Sequence, residues 1–117
     1  MIWHLVLLKP RPDLAASDRQ AFVEAFRRAV TEIPTVRAVH FGSRTTHGAG
    51  YEQAAPDAAG YLAVIEFDDR AGLDTYLSHP AHDELGRCFG RSVAAAMVYD
   101  FEVAGDGQAL DRLIGDW

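Results

Sequence analysis

Residues 2 to 9 run Ile-Trp-His-Leu-Val-Leu-Leu-Lys, and in an extended chain they form two apolar rows: Ile2, His4, Val6 and Leu8 on one face, Trp3, Leu5, Leu7 and Lys9 on the other. Successive side chains point to opposite sides of a strand, so a strand apolar on both rows has to be covered on both sides. The run is far too short to span a bilayer and lacks the basic leader and small-residue cleavage site of a secretory signal, so it is expected to be the first strand of a sheet. With 117 residues there is room for one core.

The rest of the pattern dictates what that sheet carries. Pro10, Arg11 and Pro12 break the strand, and Ser17 with Gln20 three residues on forms a capping-box signature for a helix running to about Glu32. Phe22, Phe26, Ala29, Val30 and Ile33 give that helix one apolar stripe. After Pro34 a second strand is expected from Val36 to about Thr45, then a long hairpin loop from Thr46 to Gly60, rich in Gly and Ala and containing Pro56. Tyr61 to Phe67 is a third strand, and Asp68 and Asp69 are N-cap candidates for a short second helix striped by Leu73, Tyr76 and Leu77. Val93 to Val103 is a fourth strand with Met97, Tyr99, Phe101 and Val103 on one face. The order is βαββαβ, an α+β fold of ferredoxin-like type, in which two helices cover one face of a four-stranded antiparallel sheet.

The second face of that sheet stays bare, although strands 1 and 3 carry apolar residues there. A homodimer with the two sheets packed face to face follows, forming an α/β barrel whose enclosed space is expected to be a ligand chamber. The domain is expected to end near residue 104. Beyond it, Leu110, Leu113, Ile114 and Trp117 sketch an amphipathic tail over residues 105 to 117.

Hydrophobic residues make up 49% and charged residues 24%, a globular balance that needs no metal or disulfide to fold. Eleven Lys and Arg against 17 Asp and Glu leave a net charge of −6 with no basic cluster, which argues against nucleic acid as a partner. No membrane partner is expected either. Cys88 is the single cysteine, which forbids an internal disulfide and makes a reducing cytoplasm the natural compartment. Flanked by Arg87 and Phe89, it is expected to be buried filler.

The chemistry concentrates in Tyr76-Leu77-Ser78-His79-Pro80-Ala81-His82, a phenol and two imidazoles around one proline. Pro80 should end the helix carrying Tyr76 and His79 and open a new turn holding His82. A helix C-terminus favours protonated His79, whereas a helix N-terminus favours neutral His82, the form able to accept a proton. His82 is the better candidate base. These seven residues alone leave open the plainer assignment of Tyr76 to core packing, His79 to a helix cap and His82 to the surface.

Taken together, Met1-Ile2-Trp3-His4-Leu5-Val6-Leu7-Leu8-Lys9, Ile33-Pro34-Thr35-Val36, Gly42, Val64-Ile65-Glu66-Phe67-Asp68, the Tyr76 to His82 segment and Val98-Tyr99-Asp100-Phe101 resemble the stress-responsive dimeric α/β-barrel, or Dabb, domain family. The match spans residues 1 to 103, and the early strand histidine followed by Tyr-x-x-His-Pro-x-His carries its specificity. The resemblance implies the fold and the dimer. The superfamily hosts cyclases, isomerases, oxygenases and proteins without known activity, so the fold alone does not imply a reaction. Members that close a linear polyketide by aldol condensation have catalytic machinery similar to what stands at Tyr76 and His82. By that resemblance His82 would abstract an acidic proton between carbonyls, and Tyr76 would hydrogen-bond a carbonyl as the enolate develops. His4 would help shape the pocket, and His79 would support substrate binding with Tyr76. The loop from Thr46 to Gly60 and the tail after Val103 depart from the family pattern.

Two other readings use the same residues. A non-catalytic binding module would hold a small apolar ligand in the dimer cavity, with the histidines only orienting it. A metal centre would need His4, His79 and His82 as ligands, but no Asp, Glu or Cys stands at a spacing that completes the set, so no metal and no cofactor is expected. His40 fits a satisfied strand histidine and His47 a solvated loop residue. Asp100, between Tyr99 and Phe101, either pairs with an imidazole or arginine or faces solvent.

Overall fold

A computed structural model of the chain describes residues 1–55 and 59–115; Pro56 in the long loop and Trp117 at the tail lie outside the described residues. Strand β1, Ile2–Pro10, sits inside a four-stranded sheet of order β2-β3-β1-β4, with β2 at Ala38–Ser43, β3 at Tyr61–Phe67 and β4 at Val93–Glu102. Every neighbouring pair is antiparallel. β2 is shorter at both ends than its apolar pattern suggests, because Val36 precedes the ladder and Arg44 bonds across the loop mouth to the Gly60 carbonyl. Among the described residues no helix is long and apolar enough to cross a membrane.

Helix α1, Ala16–Glu32, buries Ala25, Phe26 and Ala29 against the sheet. Its start differs from the capping-box expectation. Ala15 is the N-cap and offers no side-chain hydrogen bond, so Ser17 falls inside the first turn beside Asp18, whose charge suits the positive end of the helix dipole. Helix α2, Arg70–Ser78, does begin at a predicted cap: the Asp69 carboxylate accepts the Gly72 amide at 2.9 Å. Asp69→Ala should lower unfolding free energy by about 1 kcal/mol in a denaturant titration, the usual worth of such a cap. Asp68 instead pairs with Arg37 at 3.0 Å.

The break expected at Pro80 is present, and the turn it opens extends into a full helix that the βαββαβ order did not count. After α2, a third helix, α3, runs Pro80–Ser92 and packs on α1, burying Ala81, Leu85, Cys88 and Ser92. Within α2, Leu73 and Tyr76 are buried while Leu77 is exposed. A 3-10 turn at Gly50–Ala54 lies in the long loop, and a short helix α4, Leu110–Ile114, ends the described chain with Leu110, Leu113 and Ile114 exposed.

The register sorts the two sheet faces. Ile2, His4 and Val6 stand opposite Phe67, Ile65 and Ala63, and all six are buried beneath the helices. On the bare side, Trp3 pairs with Phe101 and Leu5 with Tyr99 and Val64. Trp3, Tyr99 and Phe101 are exposed there, so the chain leaves an aromatic and aliphatic sheet face without a cover of its own.

Candidate active site

His79 ends one helix and starts the next. The residue before a proline is driven to extended geometry, and His79 has φ −74° and ψ 143°, while Pro80 takes the first position of α3, where its missing amide proton is not needed. The His79 amide donates to the Tyr76 carbonyl at 3.3 Å, and its Nδ1 accepts the Ala81 amide at 3.0 Å. A nitrogen that accepts carries no proton, so His79 acts as an N-cap to α3 rather than as a charged C-cap to α2.

This junction sets Tyr76 on the last turn of α2 and His82 on the first turn of α3, with ring centroids 4.8 Å apart and edge on. Across the layer, His4 rises from β1 and meets the same phenol at 5.8 Å, while Phe67 from β3 backs it at 5.2 Å. Tyr76 is therefore the hub: His4 and His82 both touch it. It is 1% exposed, and burial pushes its phenol well above the ordinary value of 10.0, so it stays protonated. Among the described residues its hydroxyl has no hydrogen-bond partner. The sealed and unpartnered side-chain polar atom among the described residues is Ser92 Oγ, on the last turn of α3.

Asp100 completes the group. β4 lies beside β1 with His4 opposite Asp100, and the carboxylate sits 2.5 Å from His4 Nδ1. An ionised carboxylate only accepts, which makes Nδ1 the donor and turns the other ring nitrogen toward the interior. Asp100 is the site residue whose role the sequence left undecided, and no local signal could have resolved it, since 96 residues separate it from His4.

His82 is half-buried, and its pKa is lowered from the ordinary 6.5. Burial is the larger cause and the neighbouring His4 the second, whereas Asp83 and a hydrogen bond to the Leu77 carbonyl pull the other way. A base whose folded pKa is depressed binds protons more tightly when unfolded, so its contribution to stability is present above about 6.5 and is lost as pH falls through the lower folded value. Denaturation curves should therefore show the wild type losing more stability than His82→Asn between pH 7 and the acid end of that window. Equal losses would mean that His82 titrates as a free imidazole.

The cluster lies between the sheet and the helices. A chamber between two facing sheets could not hold it, because His4 points away from the bare face; this corrects the expected place of the site. A cavity of about 420 Å³ opens beside it, lined by Asp100, Leu73 and Leu77 together with Ile2, Phe101 and Glu102. Among the described residues no three His, Cys, Asp or Glu side chains gather as metal ligands. His79 joins neither ring contact. His40 is exposed on the bare sheet face, 3.7 Å from Glu66, and His47 bonds Tyr51 in the long loop at 3.1 Å.

A ferredoxin-like sheet with imidazoles and a buried phenol in its helix-covered layer defines the class: a small α+β domain with two imidazoles and a phenol packed inside the layer. The chain belongs to the family described as the stress responsive A/B barrel domain, Dabb, whose profile matches residues 2–103. It is 23% identical over 100 residues to olivetolic acid cyclase of Cannabis sativa, covering 84% of this chain and 92% of that protein. Hydroxynitrile lyase from Passiflora edulis shares the fold, with a TM-score of 0.72 at 11% identity over 90% of this chain and 94% of that one. A dimeric ferredoxin-like protein of unknown function from Thermobifida fusca superimposes with a TM-score of 0.66 at 19% identity, covering 87% of this chain and 90% of that one.

Proposed function

We propose that this chain is a homodimeric small-molecule enzyme that moves a proton on a carbonyl compound, in the manner of a cyclase or isomerase acting on a polyketide-like substrate. The observation that carries the reading is the edge contact of His82, kept neutral, with a phenol kept protonated. In the proposed step His82 takes the proton from a carbon between two carbonyls, and Tyr76 donates a hydrogen bond to the carbonyl oxygen on which negative charge develops. His4, oriented by Asp100, steadies the phenol from the opposite side. His79 holds the start of α3 and with it the position of His82. The likeness to a cyclase and to a lyase supports this choice of chemistry.

The test uses an alkyl β-diketone as probe. Loss of its central C–H signal in D2O, followed by NMR, should run faster with the protein than with free imidazole at equal pH. No acceleration would leave the alternative, a protein that only binds an apolar molecule. One observation favours that alternative: an apolar cavity of about 510 Å³, lined by Leu8, Phe22, Phe26, Phe41 and Val93, is bordered by none of His4, Tyr76 and His82.

The dimer belongs to the same proposal. The bare sheet face, with Leu5, Val64, Tyr99 and Phe101, is the surface for a second copy, and the dimeric Thermobifida relative supports that arrangement. Light scattering at micromolar concentration should report twice the chain mass of 12.8 kDa. A mass of one chain would remove the barrel.

A further inference from the structure

The chain after β4 is built but uncovered. The Val103 amide donates to the Met1 carbonyl at 2.9 Å and carries the sheet ladder one residue past the strand. Gly105 then turns with φ +116°, a conformation open to glycine, and the Asp106 carboxylate accepts the Gln108 amide at 2.9 Å to start a 3-10 turn, Gly107–Ala109, that runs on into α4. Leu110, Leu113 and Ile114 share one face of α4 and are 52%, 49% and 38% exposed. No residue of that helix is buried, and it packs on the turn before it. A helix this short makes too few hydrogen bonds to hold itself in water, so cover for its apolar face has to come from outside the segment. The radius of gyration is 16.0 Å, against about 13 Å for a compact chain of this length, which agrees with segments standing off the body.

We propose that the apolar face of α4 docks on a second copy of this chain, reciprocally in a two-fold dimer, as a clasp outside the sheet-to-sheet contact. Two observations choose this occupant. The bare-face row of β4, with Tyr99 and Phe101, continues through Val103 to the tail, so the uncovered helix face is continuous with the surface assigned to the dimer. Residues 104–109 span up to about 20 Å when extended, and stacked sheets lie only about 10 Å apart, so the helix can reach the other protomer. The tail also lies beyond residues 2–103, the part that matches the family, so the clasp adds to the barrel rather than forming it. The docking rests on the dimer proposed above and needs no turnover at His82.

Sedimentation equilibrium over a dilution series tests the clasp in the full chain. Leu113→Ser is made twice in a symmetric dimer and should raise the dissociation constant about tenfold or more, the effect of withdrawing a large aliphatic side chain from each docking surface. Leu110→Ser should act in the same direction. Arg112→Gln, on the opposite side of the helix, should leave the constant unchanged. In dimers mixed from labelled and unlabelled chains, isotope-filtered NMR should show nuclear Overhauser contacts from the methyls of Leu110, Leu113 and Ile114 to the other copy. Contacts confined to the labelled chain would put the tail on its own subunit, and no contacts at all would leave it docked on nothing; either result overturns the proposal. So would a dissociation constant unmoved by both leucine variants. A mass of one chain would remove the dimer and the clasp together, whereas a stable dimer without these methyl contacts would remove the clasp alone.

Discussion

His82→Ala is expected to slow deprotonation of an alkyl β-diketone by roughly 10² to 10⁴, the contribution of a positioned general base. The side chain is half-buried on the first turn of α3 and is not among the fully buried residues of the core, so its removal should leave the fold intact and the loss should fall on turnover. The pH profile adds a second readout. Because burial and His4 lower the His82 pKa, the wild-type rate should hold its plateau to below pH 6.5 and fall only in more acid solution. A folded His82→Ala protein with undiminished exchange would eliminate His82 as the base.

At Tyr76 two substitutions should separate packing from chemistry. Tyr76→Ala removes a ring that is 1% exposed and touches Phe67, His4 and His82. Deleting a buried aromatic ring lowers stability by roughly 3–5 kcal/mol, a large part of the total for a domain of this size, and denaturant curves should show it. Tyr76→Phe keeps the ring and gives up only a hydroxyl that has no hydrogen-bond partner among the described residues. It should unfold close to the wild type yet lose roughly 10² to 10³ in rate, the effect of removing one donor to a developing oxyanion. If Tyr76→Phe turns over as fast as the wild type, the phenol packs and does nothing more.

Much of the architecture was legible because its signals are local. β3 occupies Tyr61–Phe67, as its apolar run between turn residues predicts, and α1 ends at Glu32, just before Ile33-Pro34. The second helical segment was read too short. Gly86 and Gly90 lie inside α3 and weaken its helical signature, and the helix is held instead by packing on α1. In the same way Ser17 and Gln20 had the form of a cap, but the chain entered the helix two residues earlier than a Ser17 cap would set it.

The site divides along similar lines. Tyr76, His79 and His82 fall within seven residues, so one proline was enough to relate them. His4 and Asp100 meet only through strand register, a long-range property that no single sequence states. The side of the sheet on which the cluster lies followed from the same register. The unmet hydrogen bond of Ser92 had no precursor in the sequence, since it exists only once the surrounding core has closed.

The double role of His79 leaves no spare residue between the two helices. The extended backbone at His79 sets the angle at which α3 leaves α2, so one amino acid inserted or deleted between Ser78 and Ala81 would redirect α3 and part His82 from Tyr76, and a deletion would also take the cap or the proline from the start of α3. Lineages descended from this chain can therefore vary the composition of the junction more freely than its length.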